Sequence, residues 1–186
     1  MPVKTLQSIF TDKKFLFLDR EGVINQRKLG AYITCWDHFD FLPGVLDAMA
    51  GFSKHFDRIC IITNQQGIGK GLMSHEDLKT IHEKMKEAIK KAGGKIDQIY
   101  YCSQLKEEVS NCRKPGLYMA KQALHDFPEI DFNQSLMIGD TKTDMEFAKN
   151  AGMTAVLLEN EHSTDLEKSL CDFSIKTLTE LSNLLK

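Results

Sequence analysis

Three aspartates stand where this sequence could support chemistry, each shortly after an apolar run. Asp19 directly follows the run Phe15–Leu18, and Asp140 follows Leu136–Ile138 after a single glycine, with Asp144 one helical turn later. Mg²⁺ prefers hard oxygen ligands, and it usually binds one or two carboxylates together with a substrate phosphate. A lone aspartate after a strand is more often a turn residue or a helix cap, so the prediction of a magnesium site depends on what accompanies it.

Hydrogen-bond donors and cations follow two further runs. Thr63 and Asn64 directly follow the run Ile59–Ile62, and Arg113 and Lys114 lie beyond a loop after a weaker apolar run. A phosphoryl group in transfer needs cationic and hydrogen-bonding partners around its equatorial oxygens. Each pair alone is typical of a turn or a solvated surface. Together with the aspartates, and in this order, they predict magnesium-assisted phosphoryl transfer.

The apolar runs and the stretches between them predict the elements that would position these residues. The runs lack polar alternation, which favours strands buried on both faces of a parallel sheet. They are Phe15–Leu18, Ile59–Ile62, Gln98–Cys102, Leu136–Ile138 and Ala155–Leu158. The stretches between them predict helices near residues 43–56, 75–92, 116–127, 143–151 and 178–185. Strand–helix alternation predicts an α/β fold with a doubly wound, Rossmann-like parallel sheet, whose ligand site lies at the carboxyl ends of its strands.

Composition narrows the class of protein. The chain has 186 residues and a net charge of −2, so we expect one domain over residues 1–186 and no nucleic-acid or membrane partner. No apolar run approaches the roughly 20 residues of a membrane span, and the first residues lack the pattern of a signal peptide. The five cysteines are scattered and odd in number, which predicts reduced thiols in a cytoplasmic protein.

The polar groups and the runs before them resemble a known family. Phe17–Asn25 resembles the first motif of the haloacid dehalogenase superfamily, and more narrowly the branch of heptose bisphosphate and histidinol-phosphate phosphatases. Thr63–Ile68, Cys112–Pro115 and Met137–Asp140 with Asp144 resemble its next three motifs. The resemblance extends over residues 15–158. It implies a magnesium-dependent phosphatase with little or no cap domain.

The resemblance also implies a role for each residue at the site. Asp19 is the expected nucleophile, which forms an aspartyl-phosphate, and Glu21 is the expected general acid and base. Asp19, Asp140 and the backbone carbonyl of Glu21 are the expected Mg²⁺ ligands. Thr63 and Asn64 are expected to hydrogen-bond the phosphoryl group.

Three more residues complete the expected site. Lys114 would neutralise the developing charge and keep Asp19 ionised. Arg113 would reach the part of the substrate outside the transferred phosphate, and Asp144 would lie behind the metal ligands or assist at the metal. Loops over residues 26–40, 67–73 and 103–111 are expected to enclose the substrate.

Glu21 departs from the family, which has aspartate at this position. Glutamate keeps the carboxyl group but adds one methylene, about 1.5 Å of chain. A displacement of about 1 Å can cost on the order of 100-fold in rate. Three outcomes remain open: slower turnover, a phosphate-binding protein with little catalysis, or a phosphoryl-enzyme that persists and favours phosphotransfer.

A second departure concerns zinc. Many heptose bisphosphate phosphatases have a zinc loop, and at its positions this sequence has Cys102-Ser103-Gln104 and Ser110-Asn111-Cys112, so only Cys102 and Cys112 of the four ligands remain. Structural zinc sites are nearly always four-coordinate. We therefore expect no structural zinc, and no disulfide between the two cysteines in a reducing compartment.

These observations favour a phosphatase that acts as a monomer on a small phosphorylated metabolite, such as heptose 1,7-bisphosphate. The alternatives are a histidinol-phosphate phosphatase and a catalytically weak phosphate-binding or phosphotransfer protein.

Overall fold

Six parallel strands form the central sheet of the protein, seen in a computed structural model that describes residues 10, 12–28, 30–109 and 112–185. The strands are β1 (Phe15–Leu18), β2 (Arg58–Asn64), β3 (Gln98–Cys102), β4 (Ser135–Gly139), β5 (Thr154–Leu158) and β6 (Phe173–Ile175). Their order across the sheet is β3-β2-β1-β4-β5-β6, and every neighbouring pair is parallel. The predicted doubly wound α/β fold is confirmed.

Seven α-helices of the described chain connect and cover the strands. They are α1 (Val45–His55), α2 (Gln66–Gly69), α3 (His75–Lys91), α4 (Tyr118–Asp126), α5 (Lys142–Ala151), α6 (Asp165–Leu170) and α7 (Leu178–Leu184). Short 3-10 turns occur at Trp36–His38 and Phe132–Gln134. Within the described residues, no helix has both the length and the apolar character that crossing a bilayer requires.

Side chains of the inner strands alternate between two buried cores, one on each face of the sheet. Leu16, Leu18, Ile59 and Ile61 point to the face covered by α1, α3 and α7, whereas Phe15, Phe17, Cys60 and Ile62 point to the face covered by α4 and α5. Successive residues of a strand face opposite sides of the sheet. Burial on both sides therefore explains why the runs are apolar without alternation.

Helix starts follow local capping chemistry. Ser74 caps α3 as its sequence suggests: its Oγ accepts a hydrogen bond from the Asp77 N–H at 3.1 Å, and Asp77 Oδ2 accepts one from the Ser74 N–H at 2.8 Å. The predicted start of α1 at residue 43 is two residues too early. Gly44 has φ of +74° and precedes the first helical residue, Val45, so the helix begins two residues after Pro43.

The sheet reverses its winding between β1 and β4, and this point positions the acidic residues. β2 and β3 lie on one side of β1, whereas β4, β5 and β6 lie on the other. Leu18 is in register with Ile138, and the Asp19 N–H donates to the Ile138 carbonyl at 2.9 Å. Asp19 and Asp140 therefore leave adjacent strands at the crevice where ligands bind in this class of sheet.

The prediction that all five cysteines are reduced thiols is wrong for two of them, because Cys102 and Cys112 form a disulfide. Cys102 is the last residue of β3, and the chain returns so that the two Cα atoms lie 5.4 Å apart, within the separation that a disulfide needs. Cys35, Cys60 and Cys171 are free thiols.

Candidate active site

Three buried aspartates converge at the carboxyl ends of β1 and β4. Asp19 follows β1, Asp140 follows β4, and Asp144 lies in the first turn of α5. Each contributes a carboxylate oxygen to a group whose members lie within 4.8 Å of one another. Like charges this close need a cation nearby, since burial removes most of the screening by water.

Lys114 supplies one such cation. Its Nζ lies 2.8 Å from Asp19 Oδ1 and 2.6 Å from Asp144 Oδ1, and it donates to the Ile62 carbonyl at 2.8 Å. Two buried carboxylates and one carbonyl therefore surround the ammonium. Burial alone would lower the pKa of Lys114, but the negative charges of Asp144 and Asp19 outweigh it and raise the pKa. Lys114 is therefore a fixed, protonated partner of Asp19.

The backbone of Lys114 is held by Asn64 at the end of β2. Asn64 Oδ1 accepts from the Lys114 N–H at 3.0 Å, and its Nδ2 donates to the Lys114 carbonyl at 3.4 Å. The sequence predicted that the Asn64 side chain binds the phosphoryl group. In the structure this side chain holds the backbone of Lys114, and a direct contact with phosphate stays a prediction.

Thr63, the other predicted phosphoryl ligand, is buried, and its contact with phosphate stays a prediction. It is 1% exposed at the carboxyl end of β2, and its Oγ1 accepts a hydrogen bond from Gln65 Nε2 at 2.9 Å. The hydroxyl hydrogen of Thr63 can therefore point away from Gln65. The same Gln65 nitrogen donates to Glu21 Oε1 at 3.3 Å, so one amide connects Thr63 to the predicted acid–base residue.

Two glycines allow the chain to close around the aspartates. Gly22 has φ of +87°, and a Cβ there would lie 2.1 Å from Asp140 Oδ2. A Cβ on Gly139 would lie 2.1 Å from the Cβ of Asp144. Only glycine fits both positions, because any side chain would displace a carboxylate of the site.

Asp140 lies opposite Lys114 and has a different partner, Arg27. The Arg27 guanidinium lies 3.2 Å from Asp140 Oδ1, and its side chain is 36% exposed. Burial, together with the charge of Asp144, raises the pKa of Asp140 to about 8 despite the opposing charge of Arg27. The sequence did not single out Arg27, which has no motif position and approaches Asp140 only through the fold.

The donor set fits a divalent cation. Asp19, Asp140 and Asp144 offer hard carboxylate oxygens in a compact buried group, which are the ligands that Mg²⁺ prefers. The raised pKa of Asp140 shows that the charge of Arg27 does not offset the burial of this carboxylate and the charge of Asp144. These residues therefore fit the predicted Mg²⁺ site.

A cavity of about 600 Å³ has Asp140 in its lining. Arg27 and Thr141 line it near the site, and Glu161 and His162 line it farther away. Arg113, the predicted contact for the rest of the substrate, is half-buried and donates to the Gln104 carbonyl at 3.1 Å. Its role at the substrate stays a prediction.

Two further residues that the sequence left without a role lie behind Glu21. Arg20 is completely buried and donates to Glu21 Oε1, and His82 of α3 lies behind Arg20. Arg20 could have been noticed, because an arginine directly after a buried strand, flanked by Asp19 and Glu21, has carboxylates in reach. His82 carried no such signal.

Comparisons with known proteins place this geometry in a family. A family model described as HAD-hydrolase-like matches residues 111–181. A D-glycero-alpha-D-manno-heptose-1,7-bisphosphate 7-phosphatase of Campylobacter jejuni is 35% identical over 93% of this chain and 96% of its own length. The chain belongs to the haloacid dehalogenase superfamily.

A second relative and a solved structure agree with this assignment. A D-glycero-beta-D-manno-heptose-1,7-bisphosphate 7-phosphatase of Escherichia coli K12 is 31% identical over 92% of the chain and 93% of its own length. The D,D-heptose 1,7-bisphosphate phosphatase of B. bronchiseptica, solved with magnesium and phosphate, has a TM-score of 0.82, with 28% identity over 92% of this chain and 97% of its own. The resemblance inferred from the motifs is confirmed.

Proposed function

We propose that this member of the haloacid dehalogenase superfamily is a magnesium-dependent phosphatase that removes the 7-phosphate of a heptose 1,7-bisphosphate. The observation that carries the proposal is the buried group of Asp19, Asp140 and Asp144 with Lys114 bound to two of its members. The substrate class is supported by the relatives, which are named as heptose 1,7-bisphosphate 7-phosphatases in Campylobacter jejuni and Escherichia coli.

The first half of the reaction transfers the phosphoryl group to Asp19. An Asp19 carboxylate oxygen attacks phosphorus, the bond between phosphorus and the sugar oxygen breaks, and the Glu21 carboxyl group gives its proton to that oxygen. Lys114 already contacts Asp19 Oδ1 at 2.8 Å, so it orients the nucleophile and needs no reorganisation. The hydroxyl of Thr63 is available to donate to a phosphoryl oxygen.

The second half regenerates Asp19. The Glu21 carboxylate takes a proton from a water molecule, the water oxygen attacks phosphorus, and the bond between phosphorus and Asp19 breaks to release inorganic phosphate. Asp19, Asp140 and the backbone carbonyl of Glu21 would hold Mg²⁺, with Asp144 beside them. When bound, the metal supplies positive charge that the carboxylates and the phosphoryl oxygens share.

Phosphate release from a substrate panel tests the proposal. The panel contains both anomers of heptose 1,7-bisphosphate, histidinol phosphate and simple sugar monophosphates, each with Mg²⁺ and with EDTA. We expect metal-dependent release, with the highest kcat/KM for one heptose bisphosphate anomer. If histidinol phosphate were the preferred substrate, the assignment of heptose bisphosphate would be wrong, and the assignment of phosphatase activity would stand.

The Glu21→Asp variant distinguishes a protein that has lost acid catalysis at this position from one that is not a phosphatase. If the natural protein is silent on the whole panel and Glu21→Asp is active, the chain is a phosphate-binding protein that lost acid catalysis. If neither protein releases phosphate while Mg²⁺ binds, the proposed function is wrong.

A further inference from the structure

Arg20 has a charged side chain with no exposed surface, and the groups that it contacts lie next to the predicted acid–base residue. Its guanidinium donates to Glu21 Oε1 and lies 3.4 Å from His82 Nε2, while its Nε has no partner within the described residues. A buried cation is unfavourable unless acceptors surround it. The acceptors here are one carboxylate of the predicted acid–base residue and one ring nitrogen.

His82 is the fixed end of this chain of contacts. It lies on α3, is 7% exposed, and packs edge-on against the ring of Tyr101 at 6.1 Å between centroids. Burial, followed by the charge of Arg20, lowers the pKa of His82 to about 3. The ring is therefore neutral near pH 7, and Nε2 can accept from the guanidinium when Nδ1 carries the proton.

Both donors to the Glu21 side chain contact the same oxygen. Arg20 donates to Oε1, and Gln65 Nε2 approaches Oε1 at 3.3 Å. Within the described part of the chain, Oε2 accepts no hydrogen bond. The carboxyl group is thus held at one oxygen, and the other is free to exchange a proton with substrate or water.

This anchoring matters because Glu21 is one methylene longer than the aspartate of the family. The added torsion lets an unrestrained carboxyl group sample several positions, and a displacement of about 1 Å can cost on the order of 100-fold in rate. We infer that Arg20, Gln65 and His82 form a positioning set that holds Glu21 in one rotamer and so enables a glutamate to serve as general acid and base. This inference rests on the proposed phosphatase.

The test compares two leaving groups. An alkoxide leaving a sugar phosphate needs a proton from Glu21, whereas the nitrophenolate of p-nitrophenyl phosphate leaves without one. Because kcat/KM reports the steps up to the first irreversible one, it isolates the transfer to Asp19. We expect Arg20→Met and His82→Leu to lower kcat/KM about 10- to 100-fold for the sugar phosphate, and no more than about threefold for the aryl phosphate.

Two controls separate positioning from general damage. His82→Gln keeps an acceptor near the guanidinium, and we expect it to recover most of the sugar-phosphate activity lost in His82→Leu. Met85→Leu repacks the same buried face of α3, and we expect it to leave the ratio of the two kcat/KM values unchanged. A thermal unfolding curve is recorded for each variant.

A double variant provides a stricter criterion. If Arg20 acts through Glu21, then Arg20→Met adds little to the loss already caused by Glu21→Ala, because residues that act as a unit are not additive. Equal losses on both substrates, no loss on either, or additive losses in the double variant would overturn the positioning set. Those outcomes leave the proposed function intact, which fails if the unsubstituted protein does not hydrolyse the sugar phosphate.

Discussion

Lys114 and Arg27 each place a cation beside a carboxylate of the site, but their surroundings differ. The Lys114 side chain is 2% exposed, pairs with Asp19 and Asp144 and donates to the Ile62 carbonyl, whereas Arg27 is 36% exposed and pairs with Asp140 at 3.2 Å. The Lys114 side of the site is therefore complete before any ligand binds. The Arg27 side has a weakly held cation and a carboxylate whose pKa is raised to about 8.

The comparison indicates that the Lys114 side and the Arg27 side of the site have different functions. The buried side is preorganised, so it can stabilise charge in the transition state without reorganisation. The exposed side changes when a cation arrives, because Arg27 can leave Asp140 without leaving a buried charge unpaired. Experiments on the two sides should therefore give different kinds of effect, on turnover for the first and on metal binding for the second.

The largest effect is expected from the nucleophile. Asp19→Asn removes the attacking carboxylate and should lower kcat by at least about a thousandfold, as loss of a nucleophile does elsewhere. Phosphate release under single-turnover conditions measures this. The circular dichroism spectrum should match that of the unsubstituted protein, and loss of folding would mean that Asp19 is structural.

Lys114→Met should affect both activity and stability. The substitution leaves Asp19 and Asp144 buried without their cation, and breaking a buried pair in this way typically costs about 3–5 kcal/mol. Urea denaturation measures the free energy of unfolding. Lys142→Met is the matched control, since Lys142 forms an exposed pair with Glu146 at 3.2 Å and should cost less than about 0.5 kcal/mol. Similar costs for the two variants would contradict the description of Lys114.

Stability of the metal-free protein should fall as the pH rises. The folded pKa of Asp140 is about 8, against about 3.9 for an unfolded aspartate, so the folded state binds more protons between these values. Stability from this group is complete below the unfolded pKa and is lost as the pH rises through the folded one. The slope is at most about 1.4 kcal/mol per pH unit.

Urea denaturation in EDTA at several pH values checks this slope, and Asp140→Asn should reduce it by about half or more. An unchanged slope in that variant would assign the dependence to other groups. Mg²⁺ affinity should weaken as the pH falls below about 8, because the ligand must lose its proton before it binds a cation.

Arg27→Gln should give the smallest change. It removes a cation that competes for Asp140, so we expect Mg²⁺ to bind about three- to tenfold more tightly, a difference of roughly 1 kcal/mol. Isothermal titration calorimetry measures the Kd directly. Lys28→Gln removes the same charge from the adjacent position and should leave the Kd within about twofold, and weaker binding by Arg27→Gln would show that Arg27 supports the metal site.

Two of the elements missed by sequence reasoning, β6 and α6, share a physical cause. β6 (Phe173–Ile175) is a short edge strand with one exposed residue between two less exposed ones, and α6 (Asp165–Leu170) buries no side chain. Neither produces the apolar signal that predicts a buried element. The capping box of Thr164 and Glu167 was the available signal for α6.

The disulfide was missed for another reason. The prediction of free thiols relied on the rule that disulfides are rare in a reducing compartment. The compartment itself had been inferred from the number and spacing of the cysteines. Only the return of the chain from β3 toward Arg113 brings Cys102 and Cys112 within bonding distance.

The sequence by itself determined the strands β1 to β5, the aspartates after β1 and β4, and the family, because apolar runs and motif order are properties of the linear chain. Only the tertiary structure decided the partners: Asn64 on the backbone of Lys114, Arg27 on Asp140, and Arg20 with His82 behind Glu21. These contacts join residues as far apart as 113 positions. The sequence fixes no distance between such residues until the sheet and its covering helices have packed.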